Sequence, residues 1–173
     1  ANNGVHALDI ARWALEVDSP IRTSYVGGRY HFNDDQESPD TADATYDFGK
    51  VGMSWHGSSC LQRKYEQHPF VSVYGDGGIM SFDGGGYRIY DNAGKLVREN
   101  MPKLSDVPHF QNFVNAIRNG EALNSEISDA QKSTMLCHLG NISYREGIQI
   151  KGIDAPKKLW QREYSEAWKP AGI

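Results

Sequence analysis

The sequence predicts an α+β fold: a large, mostly antiparallel open β-sheet with helices packed on one face. Three observations lead there. Helical periodicity is confined to the two ends of the 173-residue chain. Runs of β-branched and aromatic residues fill the middle, and Gly- and Pro-containing turns separate those runs. Helices and strands segregated in this order fit α+β, not an alternating parallel sheet.

The elements follow in order. Asn2 to about Val17 reads as a helix, with Val5, Leu8 and Leu15 on its apolar side, Ala11 and Trp13 adding bulk, and Pro20 closing it. IRTSYVGGRYHF (21–32) is β-branched and aromatic, hence a strand, and NDDQESPD (33–40) is a polar, Pro-broken loop. TADATYDF and VGMSWHG form the next pair, joined by Gly49-Lys50. In the second, Val51, Met53 and Trp55 take one face and Gly52, Ser54 and His56 the other, as in a half-buried antiparallel strand. SSCLQRKYEQHP is a polar connection. FVSVYG, GIMSFD, GYRIYD and KLVREN are short strands punctuated by Gly77-Gly78, Gly84-Gly85-Gly86 and Asn92-Ala93-Gly94. The last group suits a hairpin with Gly94 at positive φ. Phe110, Phe113, Val114 and Ile117 then recur at helical spacing between Pro108 and Gly120. Ser128 and Gln131 read as a capping box for a longer helix ending before Gly147. The tail after Pro156 carries Trp160 and Trp168 and is expected to wrap onto the body. Apolar and aromatic residues fall on both parities of several strands, Tyr87, Ile89 and Tyr90 among them. A second sheet face of that kind suggests a homo-oligomer formed through the sheet.

Bulk properties narrow the function classes. The length suits a single domain, residues 1–173. Eighteen basic against 22 acidic residues give a net charge of −4, without the basic stripe of a nucleic-acid binder. No apolar run approaches the roughly 18–20 residues that span a bilayer, so neither nucleic acid nor membrane is expected as a partner. Cys60 and Cys137 are far apart and read as thiols packed in or near the core. The six histidines lack HxxxH and HExxH spacing, so no metal site is expected. GDGG and GGG do not match a dinucleotide or phosphate-binding loop and read as strand turns, and no GxSxG elbow occurs. NDDQESPD lacks the spacing of an EF-hand loop.

One cluster is placed for chemistry. Asn2 and His6 lie one turn apart on a helix face, and Asp9 is three residues on. Near a helix N-terminus the dipole disfavours the imidazolium, which suits a neutral general base for an alcohol proton. The spacing equally allows the commoner arrangement, a helix-start histidine satisfied by backbone or by Asp9. His56, His109, His138 with Asn141, and Tyr144 have the same two readings: tolerated polar groups, or the edge of a cleft. The residues by themselves reach a globular α+β domain with one suggestive histidine.

The wording of the sequence reaches further. NNGVHALDIARWALEVDSP resembles the helix opening the C-terminal domain of the Gfo/Idh/MocA oxidoreductase family, where G-[VI]-H-x-x-D-x-x-[RN]-W followed by Pro recurs. VSVYGDGGIMSFDGGGYRIYDNAGK is similar to that family's strand pair and following hairpin. HFQNFVNAIRNGEALNSEISDAQKSTMLCHLGNISYREG is similar to its late helices, with H-x-x-N-F-x-x-A-[IV]-R. The resemblance runs through nearly the whole chain and is most specific at residues 2–13 and 109–147.

It implies a glyceraldehyde-3-phosphate dehydrogenase-like C-terminal domain, truncated at its N-terminal side, with the Rossmann domain absent from this chain. NAD or NADP would be bound mainly by that other domain, and none is expected on this fragment, which alone should be inactive. His6 matches the family's catalytic histidine and would take the hydroxyl proton as hydride leaves the same carbon for nicotinamide. Asn2 stands where many members have Asp; an amide can orient His6 or a substrate hydroxyl but cannot act as a carboxylate relay. Asp9 and Arg12 are expected to be structural near the site. Trp55, His56 and Tyr144 are candidates to line a pocket for a sugar, inositol or related polyol. The implied assembly is a homodimer or homotetramer, in the cytoplasm or, with an export signal upstream, in the periplasm. An NAD-dependent glycosidase or lyase with transient oxidation, and a non-catalytic sugar-binding or oligomerisation module, are the alternatives.

Overall fold

The computed structural model of the chain describes residues 4–60, 68–83 and 85–152. Along the chain the elements are α1 (Gly4–Leu15), β1 (Arg22–Gly28), β2 (Thr41–Asp47), β3 (Gly52–Ser58), β4 (Val71–Gly75), β5 (Gly78–Asp83), β6 (Gly86–Tyr90), β7 (Leu96–Asn100), α2 (Val107–Asn119), α3 (Ile127–Glu146) and the short β8 (Ile150–Lys151). The α+β class and the antiparallel pairing hold. The strands are hydrogen-bonded in two groups of four, in the orders β3-β2-β1-β8 and β4-β5-β6-β7. The chain divides into two compact units, one formed by residues 1–18 and 59–134, the other by 19–58 and 135–173.

The first unit holds α1, the meander β4 to β7, α2 and the opening turns of α3. Gly75 pairs with Gly78 across the β4–β5 turn. Gly78 has φ +144°, and a Cβ there would lie 1.9 Å from the Tyr90 carbonyl oxygen, so the close strand approach requires glycine. The β6–β7 turn is built on Asp91, whose carboxylate accepts the N–H groups of Ala93 and Lys95 at 2.9 Å each, with Gly94 at φ +80°. α1 lies against β4.

α2 carries Pro in its first turn and ends at Gly120 in the left-handed region. Its buried residue is Asn112, which binds the following loop through Glu121, Ala122 and Asn124, each at 2.9 Å. Phe110, Phe113 and Ile117, the periodic residues that mark the helix in the sequence, are exposed. α3 begins before the expected capping box. The Glu126 carbonyl accepts the first helical N–H groups, from Asp129 and Ala130, so Ser128 lies inside the first turn.

In the second unit the later turns of α3 pack on one face of the β3-β2-β1-β8 sheet. Ala42, Ala44 and Tyr46 of β2 are buried, alternating with exposed Asp43 and Thr45. The Tyr46 hydroxyl donates to the Leu136 carbonyl at 3.0 Å. Gly140 lets the helix come close, since a Cβ there would sit 3.2 Å from the Tyr46 hydroxyl and 3.4 Å from the Tyr25 ring. Leu139, Ile142 and Ile150 form the core beside Met135.

The strand expected over 21–32 stops at Gly28 for a definable reason. The buried Asp40 carboxylate accepts the backbone N–H groups of Tyr30, His31 and Phe32 at 3.0, 2.9 and 3.2 Å. Three N–H groups that converge on one oxygen cannot also form a ladder. The tail with Trp160 and Trp168 lies outside the described residues.

Candidate active site

In the first unit, the placement of α1 follows from Arg12. Its side chain is 4% exposed, although it is a charged residue on a surface helix. The guanidinium donates from Nε to Ser133 Oγ at 2.8 Å, from Nη1 to Asp18 at 3.2 Å, and from Nη2 to Asp129. Asp9 lies 3.6 Å from Nη2 and accepts the Ser133 hydroxyl proton. Trp13 Nε1 donates to the same Asp129 oxygen at 3.1 Å. Hydrogen bonds from Arg12 and then Trp13 hold the Asp129 carboxyl below its ordinary pKa. One cation thus gathers three aspartates and ties α1 to the opening turns of α3. Asp9 and Arg12 are both members of that network.

His6 is exposed and lies three residues before Asp9 in the opening turn of α1. With Leu8, Ala11 and Arg12 buried, the helix is fixed by its other side. An imidazole at this position faces the positive end of the helix dipole. Ile10, one turn further on and on the same helix face as His6, lines a pocket of about 220 Å³ with Phe70, Phe82, Asp83, Gly85, Gly86, Tyr87, Asn100 and Pro102. Phe82 and Tyr87 are cross-strand partners with ring centroids 6.4 Å apart. Asn2 lies outside the described residues.

The other expected pocket residues belong to the second unit. Tyr25, Ala44 and Trp55 are in register across three strands. The Trp55 indole lies over Gly57, where a Cβ would come 2.0 Å from the ring. Tyr25 stacks with Trp55 at 6.2 Å and 14°, and meets Tyr144 edge-on at 5.9 Å and 85°. Burial, and then the neighbouring Tyr144, push the Tyr25 phenol above its ordinary pKa. Trp55 and Tyr144 therefore share one aromatic cluster, centred on a residue the sequence reading did not single out. His56 is on the opposite sheet face, with Nδ1 2.6 Å from Asp43 of the adjacent strand. A period of two separates residues 55 and 56, so they cannot line one side of a sheet together.

Among the described residues, no group of three or more His, Cys, Asp or Glu side chains could hold a metal ion. Nor is any helix there long and apolar enough to cross a membrane. Neither Ser133 nor Asp129 was foreseeable from local pattern. They meet Arg12 across more than a hundred residues, and four-residue spacing on α3 is their only local signal.

No family model matches the chain, and no curated protein matches it in sequence. Solved structures do match in fold. An oxidoreductase from Agrobacterium radiobacter, in complex with NAD+, L-tartaric acid and magnesium, is 18% identical with a TM-score of 0.64, covering 88% of this chain and 48% of that one. Aldose-aldose oxidoreductase from Caulobacter crescentus, complexed with glycerol, is 17% identical with a TM-score of 0.63, covering 86% and 45%. The WlbA dehydrogenase from Bordetella pertussis, in complex with NADH and UDP-GlcNAcA, is 14% identical with a TM-score of 0.57, covering 87% and 44%. The chain spans about half the length of these structures. It has the fold of a domain found in oxidoreductases.

Proposed function

We propose that this chain is the C-terminal domain of an NAD(P)-dependent oxidoreductase of the Gfo/Idh/MocA type that acts on a sugar, inositol or related polyol. In this reading His6 is the general base, taking the proton of the substrate hydroxyl at its imidazole. The observation that carries it is the setting of His6: exposed at the start of a helix whose far side is locked by the Arg12 network. A base must be held still while it stays open to its substrate. The shared fold with oxidoreductases solved with NADH and UDP-GlcNAcA, with NAD+ and L-tartaric acid, and with glycerol supports the reaction class.

In this reading the dinucleotide is not bound by this chain. The sequence lacks a GxGxxG turn between strand and helix, so the nicotinamide that accepts the hydride is assigned to another domain of the protein. The proposal includes assembly through the sheet. Tyr74, Ile79 and Leu96 of the β4–β7 sheet are exposed, a surface suited to a second copy.

The test is absorbance at 340 nm with the intact protein, NAD or NADP, and a panel of sugars, inositols and sugar acids. A sustained rise that His6→Ala abolishes is the expected result. Glycoside cleavage without net NADH would transfer the reading to transient oxidation. Neither rise nor cleavage, with ligand binding kept in His6→Ala, would replace it by a binding module.

A further inference from the structure

We propose that Arg98 is an anion-binding residue, and that it holds the carboxylate or phosphate group of a polyol ligand seated beside Phe82 and Tyr87. Turnover of such a ligand rests on the oxidoreductase reading; its binding does not.

The strand register supplies the first observation. Phe82, Tyr87 and Asn100 are paired across β5, β6 and β7, and Met80, Ile89 and Arg98 are paired across the same three strands. Directly opposed residues of an antiparallel ladder share a face, and so do residues two apart on a strand. Arg98 therefore stands on the same face as Phe82, Tyr87 and Asn100. It is the one charged side chain that β4 to β7 place on that face. Phe82, Tyr87 and Asn100 line the pocket of about 220 Å³, and the Arg98 guanidinium carbon stands over the Tyr87 ring, 5.9 Å from its centroid.

The second observation is that the neighbouring acids are committed elsewhere. Asp83 borders the pocket, but its register turns it to the opposite face. There Arg88 lies 3.5 Å from Asp83 and 3.4 Å from Glu99. Asp91 closes the β6–β7 turn through the N–H groups of Ala93 and Lys95. Among the described residues no carboxylate pairs with Arg98, although its side chain is exposed and open to one. A solvated arginine on an open surface would carry no inference. This one is set against an aromatic wall of a cavity.

The chemistry follows from those two points. A guanidinium resting over an aromatic face keeps N–H groups for an acceptor, and its planar fork matches a carboxylate or phosphate with two parallel hydrogen bonds. Asn100, two residues along the same strand and face, can both donate to and accept from hydroxyls. Phe82 and Tyr87 offer apolar surface to the C–H groups of the ligand. The volume is below the roughly 300–1,000 Å³ usual for drug-sized ligands, so it suits a monosaccharide-sized acid or phosphate and not a nucleotide sugar.

The experiment is calorimetric titration of the intact protein with glucuronate, glucose 6-phosphate and methyl β-glucoside. At least one anion should bind about tenfold or more tightly than the neutral glucoside, and its affinity alone should fall as salt is raised. Glucuronate ahead assigns a carboxylate to Arg98; glucose 6-phosphate ahead assigns a phosphate. Arg98→Gln should weaken the favoured anion about tenfold to a hundredfold, the loss of a charge-assisted pair, and leave the glucoside unchanged. Arg98→Lys, which keeps the charge but not the fork, should fall between the two. Equal melting temperatures for the three proteins would show that the fold is intact. If neither anion outbinds the glucoside, or if Arg98→Gln leaves anion affinity unchanged, the assignment is overturned. His6→Ala separates this outcome from the reaction class, because it should abolish turnover without changing anion affinity. Arg98-dependent anion binding without any hydride transfer would end the oxidoreductase reading and keep the anion site. His6-dependent turnover with the same KM in wild type and Arg98→Gln would do the reverse.

Discussion

Replacing Arg12 by Met keeps most of the aliphatic stem and removes the guanidinium from the centre of the α1 network. The consequences can be worked contact by contact. The buried Nε to Ser133 bond at 2.8 Å is charge-assisted and contributes about 1.5–3 kcal/mol. The 3.2 Å pair with Asp18, whose side chain is 58% exposed, adds about 0–1 kcal/mol because water competes for it. The loss from these two contacts is about 1.5–4 kcal/mol. With a urea slope of about 1–3 kcal/mol/M, the unfolding midpoint should fall by about 0.5 M or more. A double-mutant cycle with Ser133→Ala should return a coupling of about 1.5 kcal/mol. The effect also has a pH signature. Asp129 has a lowered pKa in the folded state, through Arg12 first and Trp13 second. A group of that kind contributes stability above its unfolded pKa, near 4, and the contribution disappears as pH falls through the folded value. The wild type should therefore lose more of its advantage over Arg12→Met below pH 4 than above it. An unchanged urea midpoint, or a gap independent of pH across that window, would refute the role given to Arg12.

Other perturbations have defined outcomes. Leu139→Ala removes a fully buried side chain between α3 and β8 and should cost about 2–5 kcal/mol in urea unfolding. Asp40→Ala takes the acceptor from three backbone N–H groups, so amide exchange at residues 30–32 should accelerate well ahead of exchange in β2. Gly78→Ala places a Cβ 1.9 Å from the Tyr90 carbonyl at φ +144°; it should lower Tm clearly, whereas Gly77→Ala, with open space around it, should not. Tyr74→Glu combined with Ile79→Glu should reduce the mass measured by light scattering if the sheet face joins two copies.

Much of this fold was legible because local chemistry and tertiary need agreed. The run from Gly78 to Asp83, the Asn92-Ala93-Gly94 turn, and the helix between Pro108 and Gly120 each carry their own signals, and each forms as those signals indicate. Where the reading missed, a distant partner had decided. Residues 29–32 have strand chemistry, yet Asp40 takes three of their N–H groups. Ser128 and Gln131 match a capping pattern, yet the helix starts one residue earlier, with Asp129 drawn to Arg12. The division of the strands into two hydrogen-bonded groups has no local signature either.

The site was legible to a different degree. Helical spacing groups Asn2, His6 and Asp9, and the structure ties Asp9 to Ser133 and Arg12. Trp55 and Tyr144 are brought to a common neighbour, Tyr25. His56 is adjacent in sequence to Trp55 but is turned away by the alternation of the strand, a separation the pattern Met53-Ser54-Trp55-His56 already contains.

The measurement closest to the central claim is single-turnover hydride transfer in the intact protein, comparing wild type with His6→Ala and His6→Gln. If His6 is the base, both substitutions should slow the chemical step by about 10²–10⁴-fold while leaving the dissociation constant of the substrate nearly unchanged. Hydride transfer at the wild-type rate in either variant would contradict the account.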